Sequence, residues 1–182
     1  MAEIKARRLV HNGWQKLHDL TIAEQGESYS REVLEMRAAV CVLPHNPTKG
    51  VVTLVRQLRA GPLLLDEPFM LIEAPAGLID GNDTAEETAI REVEEESGLR
   101  VRAIRKVGTF WVSPGAVTER LTLFLAQYDE TDRVSAGGGV ENEHENIEVI
   151  EMPLTEALRM VEIGEIVDMK TAFLLAELRT RE

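Results

Sequence analysis

The segment Thr84-Ala-Glu-Glu-Thr-Ala-Ile-Arg-Glu-Val-Glu-Glu-Glu-Ser-Gly-Leu99 leaves the chain little choice of local structure. Thr84 with Glu87 three residues on is a capping box, in which each residue satisfies a backbone N–H of the other that a helix start leaves orphaned. Ala85, Ala89, Ile90 and Val93 recur at helical spacing as an apolar stripe, and Gly98 supplies the left-handed residue that ends such a run. The spacing therefore predicts a helix over Thr84–Ser97 that must bury one face. Upstream, Phe69-Met-Leu-Ile72 reads as a strand, and Gly77 and Gly81 mark a loop between strand and helix.

Residues three and four apart share a helix face, so Glu92, Glu95 and Glu96 are expected to converge on one small volume. Many glutamate-rich helices are no more than solvated surfaces. Here the like charges repel by roughly 0.2–0.5 kcal/mol per pair, and Arg91 is placed to relieve only part of that through Glu95. A further cation is expected. Oxygen-only donors suit magnesium, manganese or calcium rather than zinc.

The 182 residues suffice for one ordinary domain with a full core, and no linker or internal repeat divides them. A formal charge of -12 argues against a nucleic-acid backbone or an anionic membrane as the main partner. The start of the chain lacks an apolar signal core and no run reaches membrane-spanning length, so a cytoplasmic protein is expected. The single cysteine, Cys41, lies in the apolar run Ala38–Leu43 and reads as a buried strand thiol. His11, His18, His45 and His144 show no ligand spacing.

Strands are expected near Ile4–Val10, Trp14–Ile22 and Tyr29–Met36, polar enough to be peripheral. A buried hairpin follows from Arg37–Leu43 and Gly50–Gln57 around His45-Asn-Pro-Thr-Lys49. Further strands are expected at Arg100–Phe110, Leu121–Gln127 and Ile147–Met152. Two helices close the chain, capped by Thr155 and Asp168, with Leu158, Val161, Phe173, Leu174 and Leu178 as their apolar positions. The pattern is α/β, a mixed sheet between helices.

The stretch from Gly77 resembles the Nudix box. Five residues separate Gly77 from Asp83, seven more lead to Arg91-Glu92-Val93, and Glu95, Glu96, Gly98 and Leu99 complete the pattern. Asp83 departs from it, standing one methylene short where the family has Glu. The resemblance covers nearly the whole chain. Val55–Arg59, Glu73-Ala-Pro-Ala-Gly77, Ser113–Glu119, Ala136–Glu141 and Gly164–Thr171 are similar to motifs of the nucleoside-diphosphate-sugar branch, as is Pro114, fifteen residues past Leu99.

That resemblance implies a Nudix α/β/α sandwich with a mixed sheet plus an N-terminal antiparallel sheet, one domain over 1–182 with 1–36 as dimerisation strands. It implies magnesium-dependent hydrolysis, with manganese as an alternative, of a nucleotide sugar by a homodimer. The implied substrate is GDP-mannose, giving GMP and mannose 1-phosphate; ADP-ribose, giving AMP and ribose 5-phosphate, is the alternative, and a catalytically silent nucleotide sensor a further one. Glu92, Glu96 and the Ala76 carbonyl are the implied metal ligands, beside Gly77 on the substrate side. Glu95 either reaches a second metal or orients the first, with Arg91 as its clamp. Glu145 is implied as a base or further metal ligand from the loop Glu141–Glu145, where Glu141 and Glu143 compete with it, and Gly137–Gly139 would let that loop swing. Glu119 matches a position of catalysis or substrate contact. Arg59, Lys170 and the pair Arg31 and Glu32 match substrate contacts, and Trp14 matches an aromatic residue that stacks on the base from the partner subunit.

Overall fold

A computed structural model describes residues 1–140 and 146–180. By proximity along the fold the chain divides into two units. Met1–Ala39 with Thr109–Leu121 form one, and Val40–Gly108 with Thr122–Glu182 the other.

The first unit is built on three antiparallel strands, β1 (Glu3–Asn12), β2 (Lys16–Glu24) and β3 (Glu27–Glu35), in sequence order. Gln25 and Gly26 both take positive φ, 52° and 87°, which is the twist a two-residue hairpin loop requires between Glu24 and Glu27. Every residue of β1 is exposed, Ile4, Leu9 and Val10 included. The segment Ser113–Thr118 joins this unit by pairing with the end of β3. Leu34 N–H donates to the Ala116 carbonyl at 2.8 Å, and Thr118 N–H returns to Leu34 at 3.0 Å. His18 is buried, and its Nε2 lies 2.6 Å from Glu35, while Arg7 Nε donates to its Nδ1.

The second unit, from Val40 on, holds all but the first residue of β4 (Ala39–Asn46), the former half of the expected hairpin, and all eight residues of that strand are buried. A strand covered on both faces reads as a continuous apolar run, and Val40-Cys-Val-Leu43 is one. It is followed by β5 (Val51–Leu58), a short helix α1 (Ala60–Leu64), β6 (Met70–Glu73), β7 (Ala76–Leu78) and α2 (Ala85–Ser97). Then come β8 (Ile104–Trp111), β9 (Arg120–Gln127), β10 (Glu148–Pro153), α3 (Leu154–Glu162) and α4 (Met169–Arg179). The seven-stranded sheet runs β10-β5-β4-β9-β8, with β6 on β5 and β7 on β4. Against one face, Ala89 and Val93 of α2 pack on Val40, Val42, Phe124 and Ala126, all of them shielded from solvent. Each such apolar side chain contributes about 1.5–3 kcal/mol on full burial, which is what fixes the helix to the sheet. α3 and α4 pack together, and α3 lies against β5 and β10. Cys41 is buried and free, and burial pushes its thiol pKa up, as a structural thiol requires.

The structure departs from the expected elements in three places. α1 and β7 are additional to the sequence reading. α3 is not capped by Thr155: Pro153 holds the cap position, two residues earlier and at the end of β10, and the first helical N–H, on Leu154, donates to the Gly50 carbonyl at 3.0 Å. That backbone partner removes the need for a side-chain cap. Phe173 is 44% exposed, and Leu175 takes its place among the buried residues of α4. Asp168 does cap α4, accepting from Thr171 N–H at 3.0 Å.

The glycine run is held rather than free. Gly138 and Gly139 N–H donate to the Glu96 and Glu95 carbonyls at 2.9 and 3.1 Å, and Val134 N–H donates to Gly98 at 2.8 Å. A Cβ on Gly137 would stand 2.5 Å from the Glu96 carbonyl oxygen, and one on Gly98 would stand 2.2 Å from that of Ser135. Both glycines also have left-handed φ, 69° and 71°, so only glycine fits either position. Among the described residues no helix is long and apolar enough to cross a membrane.

Candidate active site

α2 begins as the sequence predicts. Glu87 N–H donates to Thr84 Oγ1 at 3.2 Å, Thr84 N–H donates to Glu87 Oε2 at 2.9 Å, and Gly98 closes the helix in the left-handed conformation. Its carboxylate face is divided, however. Glu95 and Glu96 point about 100° apart around the axis, because consecutive residues do so on any α-helix. Glu96 turns inward, is 1% exposed, and its Oε2 accepts from Ala76 N–H at 3.1 Å. Glu95 turns to Arg91, whose Nη1 donates to its Oε2 at 2.7 Å. Glu92 lies between them, with its Oε1 2.8 Å from Arg91 Nη2. The expected convergence of three carboxylates is corrected accordingly: among the described residues no three His, Cys, Asp or Glu side chains form a metal-holding group. Arg91 also does more than was expected of it, holding both Glu92 and Glu95. Burial acts to lower its pKa, but these two carboxylates raise it overall and keep it cationic.

The fit to a hard cation rests on Gly77. A Cβ there would lie 2.1 Å from the Glu92 carboxylate carbon and from its Oε1, so the missing side chain makes the cradle in which that carboxylate sits. Glu92 against Gly77 and Glu96 on the Ala76 N–H thereby set two carboxylates against adjacent residues of one backbone stretch, and carboxylate oxygens are of the kind a hard divalent ion takes. Asp83, exposed in the turn before α2, stands apart from this group, its N–H bonded to the Asp80 carbonyl.

Arg59 and Lys170 meet on a residue that was not singled out in the sequence. Glu73, 2% exposed at the end of β6, accepts from Arg59 Nε at 3.1 and 3.0 Å and lies 3.2 Å from Lys170 Nζ. Lys170 is also 2.8 Å from Asp168, and the Thr171 hydroxyl, itself bonded to Asp168, accepts from Ala74 N–H at 2.7 Å. Burial works to raise the Glu73 pKa, yet Arg59 and Lys170 hold it below the usual carboxylate value. Burial likewise works to lower that of Lys170, and the Asp168 and Glu73 carboxylates around it raise it overall. A signal for Glu73 did exist. A carboxylate ending an apolar strand is buried only when it is paired, which calls for a partner without saying which.

The other expected contacts belong to the first unit. Trp14 is 84% exposed, with the Arg37 guanidinium 5.8 Å from its ring, beside a cleft of about 420 Å³ that Gln15, Lys16, Glu35 and Met36 also line. Arg31 is exposed, its guanidinium 4.5 Å from the Tyr29 ring centre and its Nη1 donating to the Ser30 carbonyl. Glu32 is exposed on β3 in register with Asp19. Glu119, just before β9, is partly buried, and its carbonyl accepts from Val112 N–H. Glu145, with Glu141 and Glu143, lies outside the described residues.

The chain is similar to known proteins over most of its length. A family model described as NUDIX domain matches residues 35–169. The GDP-mannose pyrophosphatase of Cronobacter sakazakii (strain ATCC BAA-894) is 45% identical over 167 residues, 90% of this chain and 85% of that protein. The one of Salmonella typhimurium (strain LT2) is 43% identical, with 90% and 85% covered, and that of Escherichia coli (strain K12) 38%, with 95% and 92%. A solved structure of an ADP compounds hydrolase superposes with a TM-score of 0.80 at 19% identity, covering 99% of this chain and 94% of its own, and shares the α/β fold with its mixed and antiparallel sheets. With the spacing of the box kept from Gly77 to Leu99 and a match that spans most of the chain, the protein belongs to the Nudix family and is a Nudix hydrolase.

Proposed function

We propose that this hydrolase cleaves the pyrophosphate bond of a nucleoside diphosphate sugar, GDP-mannose in preference to ADP-ribose, releasing GMP and mannose 1-phosphate. The observation that carries the chemistry is the Glu92 carboxylate seated over Gly77 beside the buried Glu96. The substrate rests on the likeness to the three GDP-mannose pyrophosphatases.

Nudix hydrolases use a divalent cation, and magnesium, with manganese as a substitute, is the proposed one here. Glu92, Glu96 and the Ala76 carbonyl would hold it, and once bound it neutralises the pyrophosphate and lowers the pKa of a water. The chain's own residues do the rest. Ala76 N–H fixes the Glu96 carboxylate, and Arg91 fixes both Glu92 and Glu95. Glu95, 34% exposed, stays accessible to take a proton from an attacking water or to meet a second cation. Arg59 and Lys170 supply donors to the substrate, and Trp14, Arg31, Glu32 and Glu119 are assigned to base and sugar contacts. The intact carboxylates favour turnover over silent nucleotide sensing, since a sensor has no need of them.

We further propose that the chain acts as a cytoplasmic homodimer, one Nudix domain per copy, with residues 1–36 pairing between copies. A ten-residue edge strand exposing Ile4, Leu9 and Val10 supports this, because such edges are normally covered. The test is a panel of GDP-mannose, GDP-glucose, ADP-ribose and ADP-glucose with magnesium, read by product chromatography. GMP and mannose 1-phosphate at the highest kcat/KM are expected. A preference for ADP-ribose would overturn the substrate and leave the pyrophosphatase chemistry in place.

A further inference from the structure

We infer that Glu73 is a positioning residue for substrate binding: it holds Arg59 and Lys170 as one rigid unit and turns the free edge of the Arg59 guanidinium toward the nucleotide sugar. The inference rests on the function proposed above.

The geometry separates the two faces of Arg59. Its Nε and Nη2 are both spent on Glu73, whereas no bond from Nη1 is seen among the described residues. The Glu73 side chain is 3% exposed and that of Arg59 37%, so the carboxylate anchors from inside while the guanidinium reaches solvent. A guanidinium held on one edge by a carboxylate keeps a defined plane, and less conformational freedom is lost when its other edge meets an acceptor.

Lys170 is locked from both ends, by Glu73 and by Asp168. The Thr171 hydroxyl ties Asp168 to the backbone of Ala74, the neighbour of Glu73 in sequence. From Ala74 only Pro75 intervenes before Ala76, whose N–H holds Glu96. The substrate cations and the cation-holding carboxylates are thus registered against one short stretch of chain, Glu73–Gly77.

Stability alone is a poor reason for this arrangement. A buried ion pair is often no better than apolar residues of the same volume, because desolvating the charges offsets their attraction. Formally, Glu73 and Asp168 cancel Arg59 and Lys170. What the cluster offers a substrate is therefore directed N–H donors and not net charge.

The experiment is a double-mutant cycle on steady-state kinetics with GDP-mannose and with ADP-ribose, using Glu73→Gln, Arg59→Ala and the pair. Glu73→Gln is expected to raise KM about tenfold while kcat changes less than about twofold. In the Arg59→Ala background the same change should move KM less than about twofold, because the group it positions has gone. Glu73→Asp keeps the buried charge and withdraws the carboxylate by one methylene, so it folds even if Glu73→Gln does not. It should show a smaller KM rise that again vanishes without Arg59. A KM unchanged by both substitutions, or an increase of the same size with and without Arg59, overturns the inference. Wild-type enzyme that turns over only ADP-ribose corrects the substrate and leaves the cycle to be read on ADP-ribose. Wild-type enzyme inactive on both overturns this inference together with the proposed function.

Discussion

Gly77→Ala isolates the cradle from everything else. A methyl at Gly77 would meet the Glu92 carboxylate at 2.1 Å, and relaxing to an ordinary contact of 3.4 Å moves that carboxylate by roughly 1.3 Å. The atoms that must yield are the far end of a flexible side chain, and Gly77 is not among the glycines with positive φ, so the backbone has no reason to shift. Stability should change by less than about 1 kcal/mol, or under about 4 °C in Tm. Activity should not be spared. A misplacement of about 1 Å in a positioned group costs on the order of 100-fold, equivalent to about 2.7 kcal/mol of transition-state stabilisation. The assay is kcat/KM for GDP-mannose as magnesium is raised, beside a thermal melt of the same protein. Because the displaced group is an expected ligand, part of the loss should be recovered at high magnesium. Full activity in a folded Gly77→Ala protein would refute the placement of Glu92 at the reacting centre.

Chelation should abolish turnover, and Glu96→Gln should lower kcat by at least about 100-fold while circular dichroism is unchanged, since the amide oxygen can still accept from Ala76 N–H. Glu73 has a pKa below its ordinary 4.5, so its charge contributes stability that is present above that value and is lost as pH falls through the lower folded value. Melts across this range should therefore show wild type and Glu73→Gln furthest apart near neutrality and converging in acid. Sedimentation at assay concentration should give a dimer, and Trp14→Ala should raise KM severalfold, because Trp14 is 84% exposed in one copy and so open to a base bound by the other.

What the sequence disclosed was whatever is decided within a few residues. The capping box, the apolar stripe of α2 and the Gly98 stop are contacts between near neighbours, and each appears where its spacing places it. Cys41 and the Asp168 cap were legible for the same reason. The missed features depend on distant parts of the chain. α3 lacks a side-chain cap because Gly50 satisfies Leu154. Glu73 gains its meaning only when β5 and α4 bring Arg59 and Lys170 to it. Helical spacing places Glu92, Glu95 and Glu96 on one side of α2, but the side chains separate according to what lies opposite each. Ala76 draws Glu96 inward and Arg91 keeps Glu95 out. A glycine run suggests freedom in a sequence, and here it answers a close backbone approach.

The joint between Gly98 and Gly137 determines where this fold can be edited. Two backbones that touch without side chains move as one piece, so the end of α2 and the turn through Gly139 share a common origin. A loop exchanged with a relative to change substrate preference should be spliced after Gly139. The graft then inherits a start fixed to the carbonyls of Glu95 and Glu96. A splice before Val134 would carry the anchor away with the loop and loosen the helix that bears the carboxylates. Residue-level variation in Val134–Gly139 is therefore expected to act on catalysis as if it lay within α2.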